Sequence, residues 1–263
     1  AWAKVPLVFL NAFNPPPYPG LETIAMSDIL IASEAGVTTI TISRVARKNA
    51  ITAAMYTAMA EAIEDATTDA ACRVVLIQGN EVIFSAGNDI EDFLNKPPAG
   101  SDAPVFRFLN GIATFPKPLV ACVCGPAVGI GTTMLLHCDL VYAGDNAAFS
   151  TPFVNLGLCA EGASSLLMPH MFGYHRAAEA LLMGEPFMAE AALEVGLVNR
   201  VLVPSEASAY AHAQAHKMAK KPLSSLVETK RSMKMGKQAQ VLQAMKEEGA
   251  TFGRMLNEPA AKE

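Results

Sequence analysis

Two glycine-bearing turns, Phe84-Ser85-Ala86-Gly87-Asn88-Asp89-Ile90 and Gly125-Pro126-Ala127-Val128-Gly129-Ile130-Gly131, constrain this chain more than any other stretch. Each follows an apolar, β-branched run, Arg73 to Gln78 for the first and Leu119 to Cys124 for the second, and each leads into residues with helical spacing. Each therefore reads as a strand-to-helix turn. Glycine lets the backbone bend sharply and lets another group approach the main chain, while the first N–H groups of the following helix have no partner inside it. Two such turns side by side aim two free N–H groups at one point, and helix dipoles add to their pull on negative charge. That is the outline of an oxyanion hole.

The flanking sequence predicts alternating strands and helices. Ile29 to Ala32 and Val37 to Ile42 read as a hairpin through Glu34-Ala35-Gly36. Arg44 to Ile51 reads as a basic loop, and Thr52 can cap a helix in which Met55, Met59, Ala62, Ile63 and Ala66 recur at helical spacing. Val74 to Ile77 reads as a buried strand, Lys96 to Ser101 as a loop between helices, and Ser101 or Asp102 as the start of a helix carrying Val105, Phe106, Phe108, Leu109 and Ile112. Thr132 to His137 continues as a helix; Leu140 to Ala143 and Ala147 to Ser150 read as strands. From Glu161 the pattern is mostly helical, with one strand at Val198 to Val203. Three helical tail segments, Ala207 to Lys221, Leu223 to Lys234 and Gln240 to Leu256, are broken by Pro222 and Gly236. This alternation predicts an α/β fold with βαβ units and a largely parallel sheet.

Composition narrows the function classes. A chain of 263 residues, 51% hydrophobic and 17% charged, can bury a substantial core. Its net charge of −5 gives no reason to expect nucleic acid as a partner. The five cysteines are an odd number without zinc spacing, which predicts reduced thiols and an intracellular, cytoplasmic setting. No apolar run reaches the roughly 18 to 20 residues that span a bilayer. Residues 1 to 25, with Trp2 and the Pro15-to-Gly20 stretch, lack a foldable period and read as a non-native or disordered extension, with Met26 as the expected natural start. The remainder divides into a core over residues 26 to 200 and a helical region over 201 to 263.

At the two turns, and in Pro116-Lys117-Pro118 through Asp139 with the trailing Cys138-to-Ala143 strand, the sequence resembles the crotonase superfamily of enoyl-CoA hydratases and isomerases. The resemblance implies a spiral of repeated ββα units with a helical C-terminal extension, an acyl-CoA thioester as substrate, and a homotrimer or hexamer. It implies no cofactor beyond the coenzyme A of the substrate, and no metal. It places the thioester oxygen on the backbone N–H groups of Asn88 and Ile130. Ser85, Ala86, Gly87, Asp89, Ile90 and Gly129 would line the substrate, and Arg47 and Lys48 would meet the nucleotide half of CoA, since cationic side chains suit phosphate. Many relatives carry glycine where this chain has Ile130. An isoleucine there narrows the hole if its side chain faces it.

The carboxylates decide the chemistry within such a family, because one fold hosts several reactions. Family hydratases place two glutamates where this chain has Thr133 and Phe153; both are missing. The stretch Thr151 to Ser165 instead resembles peroxisomal-type Δ3,Δ2-enoyl-CoA isomerases, in which one glutamate, here Glu161, is the acid-base group. A double-bond shift moves a proton from C2 to C4, so one carboxylate can be base and then acid. Phe153 would help exclude water. The bland alternative for Glu161 is an acid favoured by a helix N-terminus. A hydratase using another group, or a silent acyl-CoA-binding module, are the competing functions. His212 and His216, four apart, lack a third metal ligand and read as exposed; Met233 and Met235 read as packing; Asp89 reads as the cap of the next helix; Cys122 and Cys124 read as core.

Overall fold

The computed structural model describes residues 28–95 and 102–261. The expected extension over residues 1 to 25, the loop from Lys96 to Ser101 and the final Lys262-Glu263 lie outside the described residues. Nine strands are present among those described: β1 (Ile29–Glu34), β2 (Val37–Ile42), β3 (Val74–Gln78), β4 (Leu119–Val123), β5 (Pro126–Val128), β6 (Leu140–Gly144), β7 (Ala148–Ser150), β8 (Phe187–Met188) and β9 (Arg200–Leu202). They form a six-stranded sheet in the order β1-β2-β3-β4-β6-β9 and a three-stranded sheet in the order β5-β7-β8. The β1–β2 hairpin is antiparallel, and every later pairing in the large sheet is parallel. Ala35 and Gly36 close the hairpin with φ of 46° and 83°, the pair of positive values that a tight two-residue turn requires.

The helices are α1 (Ala53–Thr68), α2 (Ile90–Asn95), α3 (Pro104–Thr114), α4 (Ile130–Thr133), α5 (Ser164–Phe172), α6 (Tyr174–Ala178), α7 (Ala189–Glu194), α8 (Pro204–Ala219), α9 (Leu223–Lys234) and α10 (Gln238–Met255). Thr52 caps α1 as expected, accepting the Met55 N–H at 3.3 Å. Two expected helix starts need correction. The third helix starts at Pro104 with Ala103 before it, because proline suits the first helical position, where no N–H is needed. The helix expected over Thr132 to His137 starts earlier, at Ile130, and tightens into a 3-10 turn over Met134–His137.

Strand alternation divides the interior into two cores. In β3, Val75 and Ile77 face one core while Val74 and Leu76 face the other; in β4, Leu119, Ala121 and Val123 oppose Val120, Cys122 and Cys124. The larger core is closed by α1, α3 and α4. The smaller is closed by α8, whose Ala207, Ala211, Ala215 and Ala219 recur every fourth residue, so a face with little side-chain bulk lies on the sheet. Arg73 fixes the far end of α8 by donating to the Ala219 and Lys221 carbonyls at 2.6 and 2.7 Å. Cys122 and Cys124 are core, as expected. His212 and His216 are half-buried rather than exposed, with rings 6.3 Å apart, and no metal-binding cluster occurs among the described residues. Met233 and Met235 are 76% and 67% exposed and so are not packing residues within this chain. No helix of the described residues is long and apolar enough to cross a membrane.

Candidate active site

The two glycine turns lie against each other. Phe84 and Ser85 donate their N–H groups to the Pro126 carbonyl at 3.2 and 3.0 Å, and Val128 donates to the Ser85 carbonyl at 2.9 Å. A Cβ on Gly87, where φ is 89°, would stand 2.9 Å from the Val128 carbonyl oxygen, so this approach needs glycine. Buried Asn49 pins the first turn from beneath, its amide donating to the carbonyls of Ile42, Ile83 and Phe84 at 3.0 to 3.2 Å. Ile51 donates to the Gly87 carbonyl and Asp89 donates to the Ile51 carbonyl, which leaves the Asn88 N–H between them without a backbone acceptor among the described residues. Ile130 opens α4, so its N–H has no acceptor within that helix. Its side chain is 1% exposed and packed in the larger core, away from the cavity, so the narrowing that an isoleucine can bring does not arise.

A cavity of about 680 Å³ opens beside the first turn, at Asn88. Val105, Phe106 and Leu109 of α3 form one wall, and Leu242, Met245 and Phe252 of α10 form the other. Asn88 and Glu161 also line it, and Glu161 is the one carboxylate among its described lining residues. The Thr133 hydroxyl donates to Glu161 Oε1. Burial pushes the Glu161 carboxyl up to about 7; the Thr133 bond works against that rise, and the Glu248 carboxylate adds to it. A base with that value is divided between its charged and neutral forms near neutrality, which suits a group that must accept and then return a proton.

Residues 32–263 match the enoyl-CoA hydratase/isomerase family. The chain belongs to this family. It is 43% identical over 183 residues to enoyl-CoA delta isomerase 2 of Rattus norvegicus, covering 67% of this chain and 46% of that protein. It is 39% identical over 184 residues to the peroxisomal enoyl-CoA delta isomerase 3 of Mus musculus, covering 68% and 58%. The chain thus spans about half the length of these two relatives. A 2,3-dehydroadipyl-CoA hydratase of Escherichia coli (strain K12) is 29% identical over 228 residues, covering 86% of this chain and 89% of that one. Among solved structures, OdaA of Pseudomonas aeruginosa superposes with a TM-score of 0.87 at 46% identity, covering 89% of this chain and 95% of that one. The fold is the crotonase fold, with the C-terminal helices placed where the sequence put them.

Within this family member the expected site residues take different places. Asn88 and Glu161 line the cavity, and the second turn is packed against the first through Pro126 and Val128 without being among the cavity's described lining residues. Asp89 is held by Arg44 at 2.6 Å, and its other oxygen accepts the Asp92 N–H at 3.0 Å; the Arg44 bond leads in holding its carboxyl below the usual range. It therefore locks the turn and caps α2. Ser85 is buried, donating to the Asn49 carbonyl and accepting the Gly87 N–H, so it supports the turn from inside. Ala86 donates its N–H to the Lys48 carbonyl at 3.0 Å, which seats the basic loop on the first turn. Arg47 is solvent-facing, 3.9 Å from Glu91, and Ile90 is exposed. Phe153 is buried behind the cavity wall, its ring 6.3 Å from that of Phe252 and 3.6 Å from where a Gly129 Cβ would sit. Two residues that sequence reasoning did not assign also belong here. Tyr56 donates to Asn88 Oδ1 at 2.5 Å, and after burial the charge of Glu161 is what raises its pKa, so the two groups are near neighbours. Thr133 is the other; the clue to it was a buried hydroxyl standing in place of an absent glutamate.

Proposed function

We propose that this protein is an enoyl-CoA isomerase that moves the double bond of a 3-enoyl-CoA to the 2-trans position. The observation that carries this reading is Glu161, the one carboxylate among the described residues that line the cavity, placed beside the turn that presents Asn88. The Glu161 carboxylate takes a proton from C2, and the C2–H electron pair becomes a C1=C2 double bond as the carbonyl pair moves onto the thioester oxygen, which gains charge, giving a dienolate in which C3=C4 is still in place. The Asn88 and Ile130 N–H groups receive that charge. The protonated Glu161 then gives that proton to C4, where the C3=C4 pair forms the new C–H bond, the C1=C2 pair shifts to C2=C3 and the oxygen pair re-forms the carbonyl, leaving the 2-trans product. Water has no part in this sequence, and the apolar walls from α3 and α10 keep it out.

Arg47 and Lys48, on the loop seated on the first turn, are suited to the phosphates of CoA. The family relationship supports a homotrimer, and free thiols at all five cysteines support a reducing, cytoplasmic setting. A hydratase is the second reading, favoured by the coverage of the Escherichia coli hydratase and opposed by Thr133 and Phe153, which replace both family glutamates. Incubation with 3-hexenoyl-CoA and, separately, with crotonyl-CoA distinguishes them. The isomerase converts the first to 2-trans-hexenoyl-CoA and adds no water to the second. Hydration of crotonyl-CoA without a double-bond shift would replace the assignment, and binding of both without turnover would make the protein a silent acyl-CoA binder.

Because Glu161 must be ionised to start, kcat/KM for 3-hexenoyl-CoA is expected to rise with pH and level off above about 7, the value burial gives the carboxyl. A pH profile that is flat from 5 to 8, or one that falls, would show that another group carries the proton.

The α10 wall also bears on acyl length. Gly249 and Gly253 both line the cavity from inside this helix, where each glycine costs about 1 kcal/mol relative to alanine. A Cβ at Gly253 would meet nothing within 4 Å, so no close packing requires the glycine; what its absence of side chain leaves is room. Gly253→Leu should keep 3-hexenoyl-CoA turnover within about twofold and lower 3-dodecenoyl-CoA turnover by about tenfold or more. Equal loss on both substrates would mean that Gly253 does not bound the acyl chain.

A further inference from the structure

Glu248 is a buried carboxylate that the proton shuttle does not use. It lies on α10 between Met245 and Gly249, both of which line the cavity. Its Oε2 accepts the Ala163 N–H at 2.6 Å, and its Oε1 accepts the Ser165 N–H at 3.0 Å and the Ser165 hydroxyl at 2.5 Å. Helix α5 starts at Ser164 with no cap from its own side chains, so a carboxylate from another helix satisfies its first amides. The segment so held is unusual. Gly162 and Ala163 have φ of 67° and 60°, a left-handed pair that an alanine adopts only where its surroundings fix it. His137, kept neutral because burial lowers its pKa to about 4, also bonds this segment, at the Gly162 carbonyl, at 2.8 Å. Glu161 immediately precedes this pair, with its own carboxyl held by Thr133.

We propose that Glu248 is a positioning residue for Glu161: by bonding Ala163 and Ser165 it ties the helix that walls the acyl cavity to the loop that carries the base. An acyl chain seated against α10 and the placement of Glu161 are then one event. The catalytic consequence rests on the isomerase reading; the tie itself does not. Glu161 is faced by Glu248 from α10, by Tyr56 from α1, by Cys159 on its own loop and by the uncharged Thr133 from α4. Lys246 lines the same cavity.

Glu248→Gln and Glu248→Asp test the tie. Glutamine keeps the size but sets an NH2 group against one of the N–H donors and removes the charge; aspartate keeps the charge but is one methylene short. Both should lower kcat for 3-hexenoyl-CoA by about tenfold or more with KM within about threefold, and both should speed amide hydrogen exchange over residues 161 to 166. Only the glutamine variant should move the acid limb of kcat/KM to lower pH, because losing a neighbouring negative charge eases ionisation of Glu161. A glutamine variant with parental kcat, exchange and pH limb would overturn the proposal. So would a variant with lowered Tm and unchanged kcat well below that Tm, since Glu248 would then only cap α5. Should the parent protein turn over neither substrate, the isomerase reading fails by itself. The tie is then judged by exchange over residues 161 to 166 and by the 13C titration of the Glu161 carboxyl, and the same values in parent and Glu248→Gln would overturn it.

Discussion

Glu161→Gln is expected to lower isomerisation of 3-hexenoyl-CoA by about 10²- to 10⁴-fold while acyl-CoA affinity stays within about threefold. The amide keeps the length and an oxygen that can accept from the Thr133 hydroxyl, so the loop need not move. What disappears is the proton carrier. Stability provides a second reading of the same variant. The folded pKa of Glu161 is raised, so the stability it contributes is fully present below the unfolded value of roughly 4.3 and is lost as pH rises through about 7. Glutamine has no such loss. Relative to the parent, the variant should therefore gain stability between about pH 4 and 8, which thermal unfolding at pH 5 and pH 8 would show. A parental rate in Glu161→Gln would make Glu161 a helix-end acid.

Gly125→Ala should lose the second turn, and with it both folding stability and activity. Gly125 has φ of 66°, and a Cβ there would lie 1.7 Å from the Val82 carbonyl oxygen and 2.5 Å from its carbon. Those are backbone atoms with no rotamer to yield. The same turn carries Pro126, on whose carbonyl the first turn is hung, so displacement of one turn separates the two. A destabilisation of about 4 kcal/mol or more, in the range reserved for steric overlap and strain at special backbone angles, is expected in denaturant titration. Gly253→Ala is the matched control. It has open space and should stabilise the protein by about 0.5 to 1 kcal/mol. Equal behaviour of the two alanine variants would contradict the packing described for Gly125.

The parts of this molecule that were legible in the sequence are those with a local signal. Both turns announced themselves through glycines after β-branched runs, and the tail helices through their period and the breaks at Pro222 and Gly236. Of the small sheet only β7 was legible, as the strand expected over Ala147 to Ser150; β5 and β8 are three and two residues long, too short to show alternation, and β5 lies inside what read only as a turn. The site divides along the same line. Glu161 stood out because neighbouring residues form a pattern. Its partners did not, because Thr133 is 28 residues away and the Tyr56–Asn88 bond spans 32, while Glu248 reaches Ala163 across 85. No periodicity connects such pairs; only the folded chain brings them together. Asp89 shows the converse. Its position after Asn88 suggested substrate contact, yet Arg44, 45 residues away, engages it.

The central claim is that one carboxylate carries a proton from C2 to C4, and deuterium tests it most directly. A 3-hexenoyl-CoA labelled with deuterium at C2 would be converted in ordinary water with enzyme in excess, and the 2-trans product analysed at C4. Transfer by Glu161 within a cavity walled by α3 and α10 predicts deuterium at C4 in a measurable share of product. Loss of deuterium from C2 with none at C4, at every enzyme excess, would contradict it.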